Sequence, residues 1–144
     1  MYRAVDSTGS TVDFMLSEKR DRKAAKRFLK KALSSNHNQI PKVITVNKNP
    51  AFSPAINDLK NDKILPKNVN FRQIRYLNNV VEQDHRFIKR IISPMLGFQS
   101  FCTAIKTLKG IEAMNMIKKR QVNKLNYSVL NEVKYINQLF GIVL

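Results

Sequence analysis

Glu82, Arg86 and Lys89 follow one another at spacings of four and three. The run from Asn79 to about Ile92 predicts a helix. At about 100° per residue the three share an arc of about 60°, while Val80, Phe87 and Ile91 gather on the opposite side. A carboxylate beside cations two turns apart can hold a divalent metal while the cations engage phosphate, as phosphoryl-transfer sites require. A second reading stands beside this one. Glu82 lies three residues after Asn79, a good N-cap type, and spacing alone favours the glutamate of a capping box. Asp84 points toward the apolar side, where an unpaired charge is costly, so a basic or backbone partner is expected for it. His85 suits either the orientation of a phosphate or water, or a structural role.

These side chains need elements to position them. Tyr2 to Asp6 and Thr11 to Leu16 are rich in β-branched and aromatic residues, and Ser7-Thr8-Gly9-Ser10 between them predicts the turn of a β-hairpin. Asp21 can cap a helix whose apolar positions Ala25, Phe28, Leu29 and Ala32 fall at helical spacing, ringed by Lys23, Lys26, Arg27, Lys30 and Lys31. That helix is expected to cover a sheet. Lys42 to Val46 reads as a buried strand with Asn47 at its end. Pro50 and Pro54 bracket a turn and the start of a helix through Asn61, and Val69 to Ile74 is a further strand. After the Glu82 helix, ended by Ser93-Pro94, comes a helix from Phe101 to about Lys119, with Phe101, Ile105, Leu108, Ile111 and Met114 near one face. A last helix is expected between Asn126 and Leu144, through Val129, Val133, Ile136 and Leu139. The order ββαβαβ followed by helices implies an α/β layer architecture.

The chain has 144 residues, 43% hydrophobic and 25% charged, enough apolar material for one core. Lys and Arg number 26 against 10 Asp and Glu, a net charge of +16, so the partner that composition suggests first is a polyanion. No stretch is apolar for long enough to span a membrane, the N-terminus does not resemble a signal peptide, and the basic helices lack Trp; a soluble intracellular protein without a membrane partner is expected. One cysteine, Cys102, excludes an internal disulfide and is expected to be a buried structural thiol, and with His37 and His85 it supplies too few ligands for structural zinc.

The run from Tyr76 to Arg90, Tyr-Leu-Asn-Asn-Val-Val-Glu-Gln-Asp-His-Arg-Phe-Ile-Lys-Arg, resembles the last catalytic block of the DDE transposases of the insertion-sequence-six family of bacterial mobile elements. The opening Tyr2-Arg3-Ala4-Val5-Asp6, the segment from Thr45 to Phe52 and the later Leu108-Lys109-Gly110-Ile111-Glu112 resemble the same family, in order along nearly the whole chain. The family places 34 residues between its second Asp and its Glu, the number separating Asn47 from Glu82, and has a basic residue seven positions after the Glu, where Lys89 stands.

The resemblance implies a ribonuclease H-like α/β fold, in which carboxylates hold two divalent ions, Mg²⁺ or Mn²⁺, that activate water or a 3′ hydroxyl for attack on a DNA phosphate. It implies catalytic roles for Glu82, the Asn47 position and Lys89, metal ligation by Glu82 and Asn47, and DNA contacts from Lys48, Arg86, Lys89 and Arg90. Arg72 and Arg75 flank the preceding strand, where a surface role is favoured over lining the same cleft. Two departures shape the expectation. Asn47 replaces an Asp, which removes an anionic ligand for a hard cation and should weaken metal binding. The family's first Asp lies on a strand upstream of the Tyr2 segment, so the fold is expected to lack its first central strand, leaving two halves to pair differently or to expose edges. The expectation is a partial DDE domain over residues 1–125 with a helical tail over 126–144: a transposase fragment for DNA transposition and recombination, impaired as an enzyme, working on DNA in the bacterial cytoplasm at the nucleoid, with an intact transposase or a second copy as further partner. The alternative is a non-catalytic, basic nucleic-acid-binding or regulatory module.

Overall fold

The computed structural model describes residues 1–34, 39–74, 79–95, 97–122 and 128–142. They form two compact units, Met1–Phe98 and Gln99–Leu144.

In the first unit β1 (Tyr2–Val5) and β2 (Thr11–Met15) make an antiparallel hairpin with Tyr2 opposite Met15 and Arg3 opposite Phe14. The turn is held by Asp6, whose Oδ1 accepts from the Thr8 and Ser10 amides at 2.8 and 2.9 Å, and Gly9 supplies its positive φ of 85°. Helix α1 (Arg22–Ser34) begins where expected: Asp21 Oδ1 accepts from the Ala24 amide at 2.8 Å. Strand β3 (Val43–Val46), helix α2 (Phe52–Asn61) and strand β4 (Asn70–Gln73) form a β-α-β unit, with β4 parallel to β3 and Val46 opposite Gln73. Helix α3 (Asn79–Ile92) runs into a 3₁₀ turn at Ser93–Met95.

One core serves both strand pairs. Tyr2 of β1 stacks on Phe28 of α1 with ring centroids 5.5 Å apart and meets the edge of Phe52 of α2 at 6.0 Å. Around them lie Ala25, Leu29, Ile56, Leu59, Leu65 and Val69, with Ile44 of β3 and Phe71 of β4 packed on the same cluster. Among the described residues the strands nevertheless form two separate two-stranded sheets, β1 with β2 and β3 with β4. This explains one departure from expectation. The strand after Lys42 is not fully buried: Val43 is 38% exposed and Ile44 and Thr45 are half-buried, because β3 has a ladder neighbour on one side only.

Helix α3 packs on β1 by a face turned away from the centre of its expected apolar arc. Ile88 is buried and Val81, Asp84, His85, Phe87 and Ile92 are half-buried, whereas Ile91 is exposed. The cause is an ion pair. The Arg3 guanidinium, whose side chain is fully buried, donates from Nε to Asp84 Oδ2 at 3.1 Å and from a terminal nitrogen to Thr11 Oγ1 at 3.1 Å, and this turns the Asp84 side of the helix toward the hairpin. Arg3 is the partner that Asp84 required.

In the second unit α4 (Phe101–Lys118) is capped by Ser100, whose Oγ accepts from the Thr103 amide at 3.1 Å, and α5 (Val129–Leu139) by Ser128, which accepts from the Asn131 amide at 3.2 Å. Leu108 is buried as expected, but so are Ala104, Glu112 and Asn115, while Phe101 and Met114 are exposed. The buried stripe runs through positions 104, 108, 112 and 115, and Phe101 stands at the helix end beyond it. Cys102, about 160° around the helix from Ala104, is exposed rather than buried. On α5, Val129, Val133 and Leu139 are exposed and Ile136 is half-buried. No helix of the described residues is long and apolar enough to cross a membrane.

Candidate nucleic-acid interface

Two elements carry the residues singled out from sequence. The first is the edge where the parallel strands end. Asn47 immediately follows β3 and is exposed, and its Oδ1 accepts from the Asn49 amide at 3.2 Å. Asn49 Oδ1 accepts in turn from the Ala51 amide at 3.0 Å, so successive side-chain turns lead the backbone from β3 into α2. Gln73, the last residue of β4, ties this loop down: its Nε2 donates to the Asn49 carbonyl at 3.1 Å and its Oε1 accepts from Ser53 Oγ at 3.1 Å. Lys48, Pro50, Ser53 and Gln73 line a shallow, open cavity of about 430 Å³. The carboxyl ends of parallel strands, facing a helix start, are where α/β folds gather ligands. Ser53 and Gln73 were not legible as site residues, since neither carries charge and the bonds joining them span 20 or more positions.

The second element is α3. With Asp84 held inward by Arg3, the arc holding Glu82, Arg86 and Lys89 faces outward, and all three are exposed, as is Arg90. Burial pushes the half-buried His85 imidazole below its ordinary pKa, reinforced by the positive charges of Arg3 and Lys89 and partly opposed by Asp84. It is therefore neutral near pH 7. Arg72 is exposed on β4, and Arg75 and the segment from Tyr76 to Asn78 lie outside the described residues. Asn79 is already helical, one position inside the N-cap that a capping box with Glu82 requires.

The structure brings Asn47 and Lys48 together at the strand edge and Glu82, Arg86 and Lys89 together on one helix face. Among the described residues no hydrogen bond or ion pair joins the two sets. The residues present do not fit a pair of divalent ions. No three His, Cys, Asp or Glu side chains among the described residues are grouped to hold one, and the Asn47 amide oxygen, a neutral donor, already accepts from a backbone amide.

The family described as a DDE domain matches residues 1–121. The chain belongs to the DDE transposases of the insertion-sequence-six family. It is 36% identical over 126 residues to the transposase for insertion sequence-like element IS431mec of Staphylococcus aureus, a match covering 87% of this chain and 53% of that protein. The same figures hold for the transposase for insertion sequence element IS257 in transposon Tn4003, also of Staphylococcus aureus. This DDE-family chain thus spans about half the length of the curated relatives it matches. No solved structure matches it.

Proposed function

We propose that the chain is part of a ribonuclease H-like DDE domain that engages DNA through its phosphate backbone and is impaired in strand cleavage and transfer. The observation that carries this reading is Asn47: it stands at the carboxyl edge of β3 where the family has Asp, with its side-chain oxygen turned to the Asn49 amide. Glu82 is then the one family carboxylate in the described site, and a neutral amide contributes far less than a carboxylate to holding Mg²⁺ or Mn²⁺. The binding role rests on cations: Lys48 beside the strand-edge cavity, and Arg86, Lys89 and Arg90 on the exposed part of α3. On this reading the DDE portion covers residues 1–125, the tail over 126–144 carries α5, and the chain works at the nucleoid in the bacterial cytoplasm.

A second reading, a non-catalytic module that occupies DNA or pairs with an intact transposase, is favoured by the lack of a grouped carboxylate site among the described residues. One experiment separates impairment from activity: the full chain is incubated with element-end DNA in Mg²⁺ or Mn²⁺ and strand products are resolved on a denaturing gel. The expected result is binding without cleavage. Cleavage by the unaltered chain would overturn the proposal, and cleavage gained by Asn47→Asp alone would identify position 47 as the lesion and exclude the non-catalytic reading.

A further inference from the structure

Helix α1 carries six cations, Arg22, Lys23, Lys26, Arg27, Lys30 and Lys31, and no acid. The fold uses half of them. Arg22 Nε donates to Asp58 Oδ2 at 2.8 Å and Lys26 Nζ lies 2.7 Å from Asp62 Oδ2, so two cations one turn apart on α1 meet two acids one turn apart along α2 and its C-cap. On the other flank Lys31 Nζ lies 2.7 Å from Asp13 Oδ1 of β2 and 5.7 Å from the centroid of the Phe14 ring. The other three form no ion pair among the described residues.

Lys23, Arg27 and Lys30 are all exposed. At spacings of four and three they occupy an arc of about 60°, opposite the buried Ala25, Phe28 and Ala32. Like charges at these spacings repel and weaken a helix. An acid interspersed on this face would relieve that repulsion, and none is present. The stripe runs parallel to the helix axis for about 10 Å at 1.5 Å per residue. Along one strand of duplex DNA phosphates recur every 3.4 Å of axis, so the stripe reaches along a run of about four.

We infer that the outer face of α1 is a second DNA-backbone surface, separate from the cations of α3 and the strand edge, on which Lys23, Arg27 and Lys30 contact phosphates along one strand. Its occupant is duplex DNA, chosen by charge complementarity and by the match of length. The inference shares with the proposed function the assumption that the chain binds DNA, and is independent of whether the chain cleaves it.

The test is the salt dependence of binding between the full chain and a short fluorescein-labelled DNA duplex, followed by anisotropy between about 50 and 200 mM salt. The variant is Lys23→Gln, Arg27→Gln, Lys30→Gln; Gln has nearly the helix propensity of Lys and Arg, so the fold is retained and circular dichroism checks it. Losing three phosphate contacts, at about 0.9 each, lowers the slope of log affinity against log salt by about 2.7, so the variant loses about 40-fold less affinity over that range than the parent. The control, Arg22→Gln with Lys26→Gln, removes equal charge per residue from the paired flank and leaves most of the slope. Equal slope losses per charge in variant and control would overturn the inference by reducing it to net charge. An unchanged slope in the triple variant would also overturn it, and there a slope still lowered by Lys48→Gln, Arg86→Gln and Lys89→Gln would leave the proposed DNA-binding site standing. Absence of duplex binding by the parent chain would overturn both.

Discussion

Replacing Arg3 with Met removes one half of the ion pair that seats α3 on the hairpin. The Arg3 side chain is fully buried and that of Asp84 is 13% exposed. Breaking a buried pair on one side costs about 3–5 kcal/mol, because the other charge loses its compensating cation, and the partial exposure of Asp84 puts the cost at the lower end, about 3 kcal/mol. Thr11 Oγ1 also loses its donor from Arg3. For a folding unit of about 100 residues a loss of this size lowers Tm by about 12–24 °C. The assay is a double-mutant cycle by urea unfolding with far-UV circular dichroism: Arg3→Met, Asp84→Leu, and both together. The double variant strands neither charge and should recover much of the loss, giving a coupling energy of about 1.5 kcal/mol or more. A loss below about 0.5 kcal/mol for Arg3→Met, or simple additivity in the cycle, would refute the argument that this pair orients the helix carrying Glu82.

Three further outcomes follow from the packing. The His85 pKa is lower in the folded chain than in the unfolded one, so the unfolded state binds the extra proton and stability is lost as pH falls below about 6.5 toward the folded value; His85→Gln should flatten that part of a stability-versus-pH curve. Asp21→Ala removes the cap of α1 and should cost about 1 kcal/mol by urea unfolding, with Asp21→Asn close to neutral. Leu59→Ala, at a fully buried position of α2, should cost about 2–5 kcal/mol, and a cost under 1 kcal/mol would mean that the shared core closes over the cavity.

The local signals in the sequence were sound guides because they are made of neighbours. The Ser7–Ser10 turn, the Asp21 cap, the apolar stripe of α1 and the order of strands and helices through Ile92 each depend on residues a few positions apart, and each is present. What escaped was set by contacts across the chain. The face that α3 buries depends on Arg3, 81 positions away, and no periodicity within Asn79–Ile92 encodes it. The burial of Glu112 and Asn115 in α4 runs against residue type, so a hydrophobic pattern could only pass over them. In the candidate site the spacing of Glu82, Arg86 and Lys89 gave the exposed helix face directly, whereas the tether from Gln73 to the Asn49 loop joins neutral side chains and had no sequence signature.

The aromatic trio has a consequence for the order of assembly. β3 pairs with β4 across 27 positions, close to the 26 between Tyr2 and Phe28, but the contact of Tyr2 with Phe52 closes a loop of 50. Local contacts form early and long-range ones carry the entropy cost of closure. The two strand pairs are thus expected to form as separate early structures, with the docking of Tyr2 between α1 and α2 as the late event. In a φ-value experiment Tyr2→Leu would chiefly accelerate unfolding, while substitutions inside the β-α-β unit would slow folding.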